Sequence, residues 1–110
     1  MDKVTYIFDI DDTICKTAGS DYDNSQPMME RVKVVNRLYD EGHTILFLTA
    51  RGMCRNKNDQ LAAIEELYEF TLNQLSGWGV RFHRLFLGKP AGDIYIDDKG
   101  CKDTDFFGKL

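Results

Sequence analysis

Cysteine is sparse in this chain. Cys15, Cys54 and Cys101 are odd in number and lack the paired spacing of a zinc knuckle, which excludes a disulfide framework and leaves reduced cytosolic thiols as the expectation. No apolar run is long enough to cross a membrane, and the chain enters a strand within four residues of Met1 without a charged leader or apolar h-region. A cytoplasmic protein with no membrane partner is expected. Positive charge is in deficit, with 14 Lys and Arg against 18 Asp and Glu and a net charge of -4. Basic residues are not interleaved with aromatics either, and both features disfavour nucleic acid as a partner. What remains is a 110-residue chain that reads as one domain over 1–110, large enough to bury a core of its own.

The stretch Phe8-Asp9-Ile10-Asp11-Asp12-Thr13 stands out. It follows Val4-Thr5-Tyr6-Ile7, a β-branched and aromatic run that reads as a buried strand, so three carboxylates and a hydroxyl arrive where that strand ends. Side chains alternate along a strand, which sends Asp9 and Asp11 to one side. Like charges at close range repel, and ligands of α/β sheets bind at the carboxyl ends of the strands. A cation site therefore explains the cluster better than helix capping, which needs a single acceptor.

Residues 14 to 26 read as a polar loop close to that site. Pro27 opens an apolar series, Met28, Val32, Val35, Leu38 and Tyr39, whose spacing predicts an amphipathic helix stopped by Gly42. Thr44 to Thr49 is a continuous run of the kind buried on both faces of a parallel sheet. Beyond it Arg51, Arg55 and Lys57 form a cationic patch suited to an anionic substrate, although surface cations of this kind are also common on solvated loops. A second helix is predicted from about Asn58, with Leu61, Ile64, Tyr68, Leu72 and Leu75 on one face and Gly77 and Gly79 at its end. Two more strands are predicted at Leu85-Phe86-Leu87 and Ile94-Tyr95-Ile96, and Phe106 and Phe107 in the tail from Cys101 to Leu110 are expected to dock on the core. The alternation predicts an open, mostly parallel α/β sheet. Only about five residues join the last two runs, fewer than a parallel crossover uses.

Asp9 and Asp11, Thr49, Lys89, and Asp97 with Asp98 each follow a predicted strand, so all fall on one edge of the sheet. Two acidic clusters with a hydroxyl and a lysine make a site for a hard divalent cation and a phosphoryl group, and magnesium suits carboxylates combined with substrate phosphate oxygens. His43 and His83 precede their strands and lie at the opposite edge; Asp93 and Asp12 read as turn residues.

Phe-Asp-Ile-Asp-Asp-Thr resembles the first motif of the haloacid dehalogenase-like phosphatase superfamily, Leu48-Thr49-Ala50-Arg51 its second, Lys89 its third and Asp97-Asp98 its fourth. The run from Gly88-Lys89-Pro90 to Asp97-Asp98-Lys99 is most similar to small phosphatases of capsule and surface-polysaccharide biosynthesis. The resemblance implies a Rossmann-like open sheet with helices on both faces and no cap domain. It implies Asp9 as nucleophile forming an aspartyl-phosphate, Asp11 as general acid and then base, and Thr49 and Lys89 as phosphoryl contacts, with Lys89 also tethering Asp9. Magnesium would lie among Asp9, the backbone carbonyl of Asp11 and Asp97, with Asp98 behind or sharing it. The implied substrate is a small phosphorylated sugar or polyol. Two other readings share parts of the pattern: a signalling receiver domain, disfavoured because its phosphate-accepting aspartate lies on a middle strand, and a nucleotidase or polynucleotide end phosphatase. Without a cap, the site must be covered by its substrate, by the 14 to 26 loop or by a neighbouring subunit in a homo-oligomer.

Overall fold

The structure, a computed structural model, describes residues 2–108; Met1, Lys109 and Leu110, the last two ending the expected tail, lie outside the described residues. Three strands, β1 (Thr5–Phe8), β4 (Thr44–Thr49) and β5 (Arg84–Leu87), form a parallel sheet in the order β1-β4-β5. Phe8 lies level with Phe47, and Phe47 with Leu85. Between β1 and the first helix, two short strands, β2 (Cys15–Lys16) and β3 (Gln26–Pro27), pair antiparallel and close the polar loop at its base.

Helix α1 (Met29–Asp40) connects β1 to β4, and α2 (Gln60–Gly77) connects β4 to β5. The apolar spacing read from the sequence is the face that α1 buries, but not the face that α2 buries: of the five residues read for α2 only Leu75 is buried, while Leu61 and Ile64 are exposed, because the face turned to the sheet runs through Ala63, Leu67 and Thr71. Val32, Val35 and Leu38 of α1, and Ala63, Leu67 and Leu75 of α2, are the buried positions. Asp59 caps α2, its carboxylate accepting from the Ala62 N–H at 3.1 Å. A six-residue helix, α3 (Asp103–Gly108), brings Phe106 to 5.8 Å from the Tyr6 ring and 5.6 Å from that of Phe8, so the expected docking of the tail aromatics holds.

All of this packing is on one side of the sheet. Phe8, Ile45, Phe47, Leu85 and Leu87 share a single core with the buried residues of α1 and α2. Their strand neighbours point the other way: Ile7 is 62% exposed, Phe86 is 39% exposed, and Leu46 and Leu48 are only half-buried. The expectation of helices on both faces is thereby corrected. Right-handed crossovers that advance in one direction, from β1 to β4 to β5, lay both helices on the same face.

A second correction concerns Ile94-Tyr95-Ile96, which is not a strand. Residues 94–96 are irregular and Ile94 and Ile96 are 78% and 91% exposed. The short link explains this, because a chain leaving the C-terminal end of β5 has no route back to the opposite edge of the sheet in the six residues 88–93. Among the described residues β1 therefore pairs on one side only, leaving its other edge free.

Candidate active site

The acidic stretch is shaped by two buried isoleucines. Ile10 and Ile14 are fully enclosed, and the Ile10 carbonyl accepts from the N–H groups of Thr13 (3.1 Å) and Ile14 (2.9 Å), turning the chain sharply after β1. With Ile10 directed inward, Asp9 and Asp11 on either side of it face outward together. Asp12 occupies the left-handed region at φ 60 and is exposed, in agreement with its reading as a turn residue.

Each of the two outward carboxylates meets a different cation. Lys89 Nζ lies 3.5 Å from Asp9 Oδ2, and the N–H of Ile10 donates to Asp9 Oδ1 at 2.8 Å. Burial nevertheless raises the Asp9 carboxyl above its ordinary value; Lys89 and the Ile10 N–H oppose that shift and Asp11 adds to it. Asp11 is gripped by Arg51, whose Nε donates to Oδ2 and Nη2 to Oδ1, both at 3.0 Å. Thr17 adds a hydroxyl donor to Oδ1 at 2.7 Å. Cys15 lies beneath, its thiol 3.7 Å from Asp11 Oδ1 and pushed up chiefly by burial, so it stays protonated at neutral pH.

Asp9, Asp11 and Arg51 line one cleft of ≈ 280 Å³. Its other walls are Gly19, Ser20 and Tyr22 from the 14 to 26 loop and Gly92 and Tyr95 from the chain after β5. The 14 to 26 loop thus supplies one wall of the cleft. Tyr95 is fixed there by donating to the Pro90 carbonyl at 2.7 Å, with Lys89 Nζ 4.3 Å from its ring centre. A larger cavity of ≈ 390 Å³ lies between α1 and α3, but its cation, Arg31, is bound to Asp103 (2.7 Å) and to the Thr13 carbonyl (2.9 Å). It offers no converging reactive groups.

Asp9, Asp11 and Lys89 are therefore gathered, with Arg51 beside them, while the remaining candidates stand elsewhere. Thr49 is completely buried, its hydroxyl accepting from the Arg51 N–H at 3.1 Å and its carbonyl from the Lys89 N–H at 3.2 Å. It anchors the site from below and does not line the cleft. Arg55 pairs with Glu66 at 2.9 Å, and Lys57 is exposed and outside the cleft walls, so neither is directed at a second anionic group. Arg51 belongs to the cleft but is committed to Asp11. Asp97 and Asp98 are exposed, and Asp97 Oδ1 accepts from the N–H groups of Lys99 (2.7 Å) and Gly100 (2.6 Å). His43 and His83 hold the N–H groups of Val4 (3.1 Å) and Ile45 (3.0 Å) at the opposite edge of the sheet, as read.

The displacement of Asp97 and Asp98 bears on the expected metal. Among the described residues no three His, Cys, Asp or Glu side chains are grouped to hold one, and Asp97 instead accepts from the Lys99 and Gly100 N–H groups of its own loop. The Asp9 carboxylate with the Asp11 backbone carbonyl still fits magnesium, a hard cation usually held by one or two carboxylates together with waters and substrate phosphate oxygens.

Two cleft residues, Tyr22 and Tyr95, and the Asp11 donor Thr17 escaped the sequence. Thr17 and Tyr22 lay in the polar loop already placed beside the acids, where a hydroxyl or aromatic side chain was the available signal, and Tyr95 was read as part of a strand.

No protein-family model matches the chain, and no curated protein matches it either. Among solved structures it is similar to a structural-genomics target from Vibrio cholerae, with a TM-score of 0.85 and 24% identity, over 94% of this chain and 86% of that one. At that identity the likeness carries the fold alone: a Rossmann-like α/β architecture built on a parallel three-stranded sheet.

Proposed function

We propose that the chain is a haloacid dehalogenase-like phosphomonoester hydrolase without a cap domain, acting through an aspartyl-phosphate. The observation that carries this reading is the pair of carboxylates on one cleft wall in unlike settings: Asp9 beside the loosely held Lys89, Asp11 locked against Arg51. Two acids with different partners can take different roles in one reaction.

Asp9 is the nucleophile. One of its oxygens bonds to phosphorus as the bond from phosphorus to the leaving oxygen breaks, and the proton that the leaving oxygen needs comes from the Asp11 carboxyl. Asp11, now a carboxylate, then takes a proton from water. That water's oxygen bonds to phosphorus, the bond to Asp9 breaks, and inorganic phosphate departs with both acids restored. Lys89 neutralises charge beside Asp9 and holds its orientation. Magnesium, held by the Asp9 carboxylate and the Asp11 backbone carbonyl with the phosphate, would supply charge stabilisation at the transferring group.

A cleft walled by Tyr22, Tyr95 and small residues suits a compact leaving group. A sugar or polyol monophosphate of surface-polysaccharide synthesis is the favoured class, by the resemblance of the Gly88 to Lys99 run. Among the described residues no helix is long and apolar enough to cross a membrane. The test is phosphate release from a panel of sugar, polyol and nucleotide monophosphates with magnesium present. Multiple turnovers with the wild type and none with Asp9→Asn are expected. A single phosphorylation without release would instead favour a receiver-type domain.

A further inference from the structure

Arg51 has the largest of the fully buried side chains, and a guanidinium withdrawn from water costs free energy unless it is well matched. Its matching is specific. Besides the two 3.0 Å bonds to Asp11, Nη1 lies 3.4 Å from Thr71 Oγ1, and the guanidinium carbon sits 4.8 Å from the centre of the Tyr22 ring. On the far side of the carboxylate, Thr17 donates its single hydroxyl proton to Asp11 Oδ1, so the 2.6 Å contact between Thr17 and Ser25 requires Ser25 to be the donor.

The result is an asymmetric carboxylate. Oδ1 receives Thr17 at 2.7 Å, Arg51 Nη2 at 3.0 Å, a longer share of Nε at 3.3 Å and the weak Cys15 donor at 3.7 Å. Oδ2 receives Nε alone at 3.0 Å. A proton placed on Oδ1 would have to displace a donor already pointing there, whereas Oδ2 keeps a free lone pair.

We propose, on the strength of the phosphatase reading above, that Arg51 and Thr17 are positioning residues which fix Asp11 so that Oδ2 gives and receives the proton. In the first half-reaction the proton on Oδ2 passes to the leaving oxygen, which keeps the electron pair of its broken bond to phosphorus. In the second, Oδ2 takes the proton of the water whose oxygen bonds to phosphorus. Arg51 stays charged and Thr17 keeps its own proton throughout.

The test uses Arg51→Lys and Thr17→Val with two substrates. A primary alkyl phosphate needs its leaving oxygen protonated, while p-nitrophenyl phosphate has a leaving group stable as the anion. Because kcat/KM covers the step in which the leaving group departs, either variant should lose about 100-fold on the alkyl substrate and less than about 10-fold on the aryl one, in keeping with the usual weight of general acid catalysis. In an Asp11→Asn background the same substitutions should cost nothing further on the alkyl substrate. Equal losses on both substrates, or a full additional loss in the Asp11→Asn background, would overturn the proposal and return both residues to a structural role. If Arg51→Lys does not fold, Thr17→Val decides alone, since it removes the other donor and leaves the buried pair intact. Wild-type protein inert on both substrates would sink the phosphatase reading and this inference with it; an active wild type with equal losses sinks only the inference.

Discussion

Replacing Gly52 by alanine probes how the site is mounted on the fold. Gly52 follows Arg51 directly and has φ +79, in the left-handed region where a Cβ costs about 1–2 kcal/mol. The added methyl would also lie 3.0 Å from Leu67 Cδ1 and 3.3 Å from Ala63 Cβ, against the buried face of α2. Leu67 is itself enclosed and cannot swing clear, so overpacking adds about 1–3 kcal/mol. Gly79 provides the control, for it has φ +76 and nothing within 4 Å of its would-be Cβ. Gly79→Ala should show the backbone cost alone. At about 4 °C per kcal/mol for a domain of this size, thermal melts followed by circular dichroism should place Gly79→Ala about 4–8 °C below wild type and Gly52→Ala about 8–20 °C below. Equal losses in the two variants would refute the close approach of the 51–53 turn to α2. The Gly52 N–H also donates to the Tyr22 hydroxyl at 3.3 Å, so a shift of this turn should disturb the cleft wall as well as the core.

Asp9→Asn is expected to abolish turnover while leaving Tm at neutral pH equal or higher. A carboxyl raised by folding binds its proton more tightly in the native state, so its contribution to stability falls as pH rises from 3.8 through the raised native value, and the variant's advantage should vanish in acid. Melts from pH 3 to 8 check the sign, and a variant less stable than wild type at pH 7 would contradict it. Thiol labelling of the native protein should modify Cys54 and Cys101, both exposed, and spare buried Cys15 until denaturant is added; mass spectrometry counts the adducts. Phe47→Ala, at the centre of the core, should cost about 3–5 kcal/mol in urea unfolding, whereas Ile7→Thr on the open face should cost less than about 1 kcal/mol, and comparable losses would argue that the second face is covered.

The local readings that survive are those set by periodicity. Thr44 to Thr49 is a strand to the residue, and the helical spacing of Val32, Val35 and Leu38 marks the buried face of α1; in α2 the larger apolar residues drew the reading one position off, since small Ala63 and polar Thr71 lie on the buried face with Leu67 and Leu75. Ile94-Tyr95-Ile96 failed because apolar β-branched composition reports what a strand needs and not whether a neighbouring strand is within reach. Likewise, Leu46 and Leu48 made β4 look buried on both sides, but which face receives helices follows from crossover handedness and strand order. At the site, Asp9, Asp11 and Lys89 were legible because each ends or follows a strand. Arg51 looked like one of three similar cations in a loop, since linear proximity to Arg55 and Lys57 carries no information about the buried acid it meets.

The unpaired edge of β1 has a consequence for the strand that delivers Asp9. Val4 turns both its N–H, to His43, and its carbonyl, to Thr44, toward β4. By alternation the amides of Tyr6 and Phe8 do the same, while those of Thr5 and Ile7 point outward to water. In deuterium oxide the outward pair should exchange within the dead time of a manual experiment and the inward pair only on local opening. The interior amides of β4, bonded on both flanks, should persist longest. Exchange along β1 should therefore read as a fast–slow–fast–slow rhythm, and Asp9 stands at the end of a strand gripped from one side.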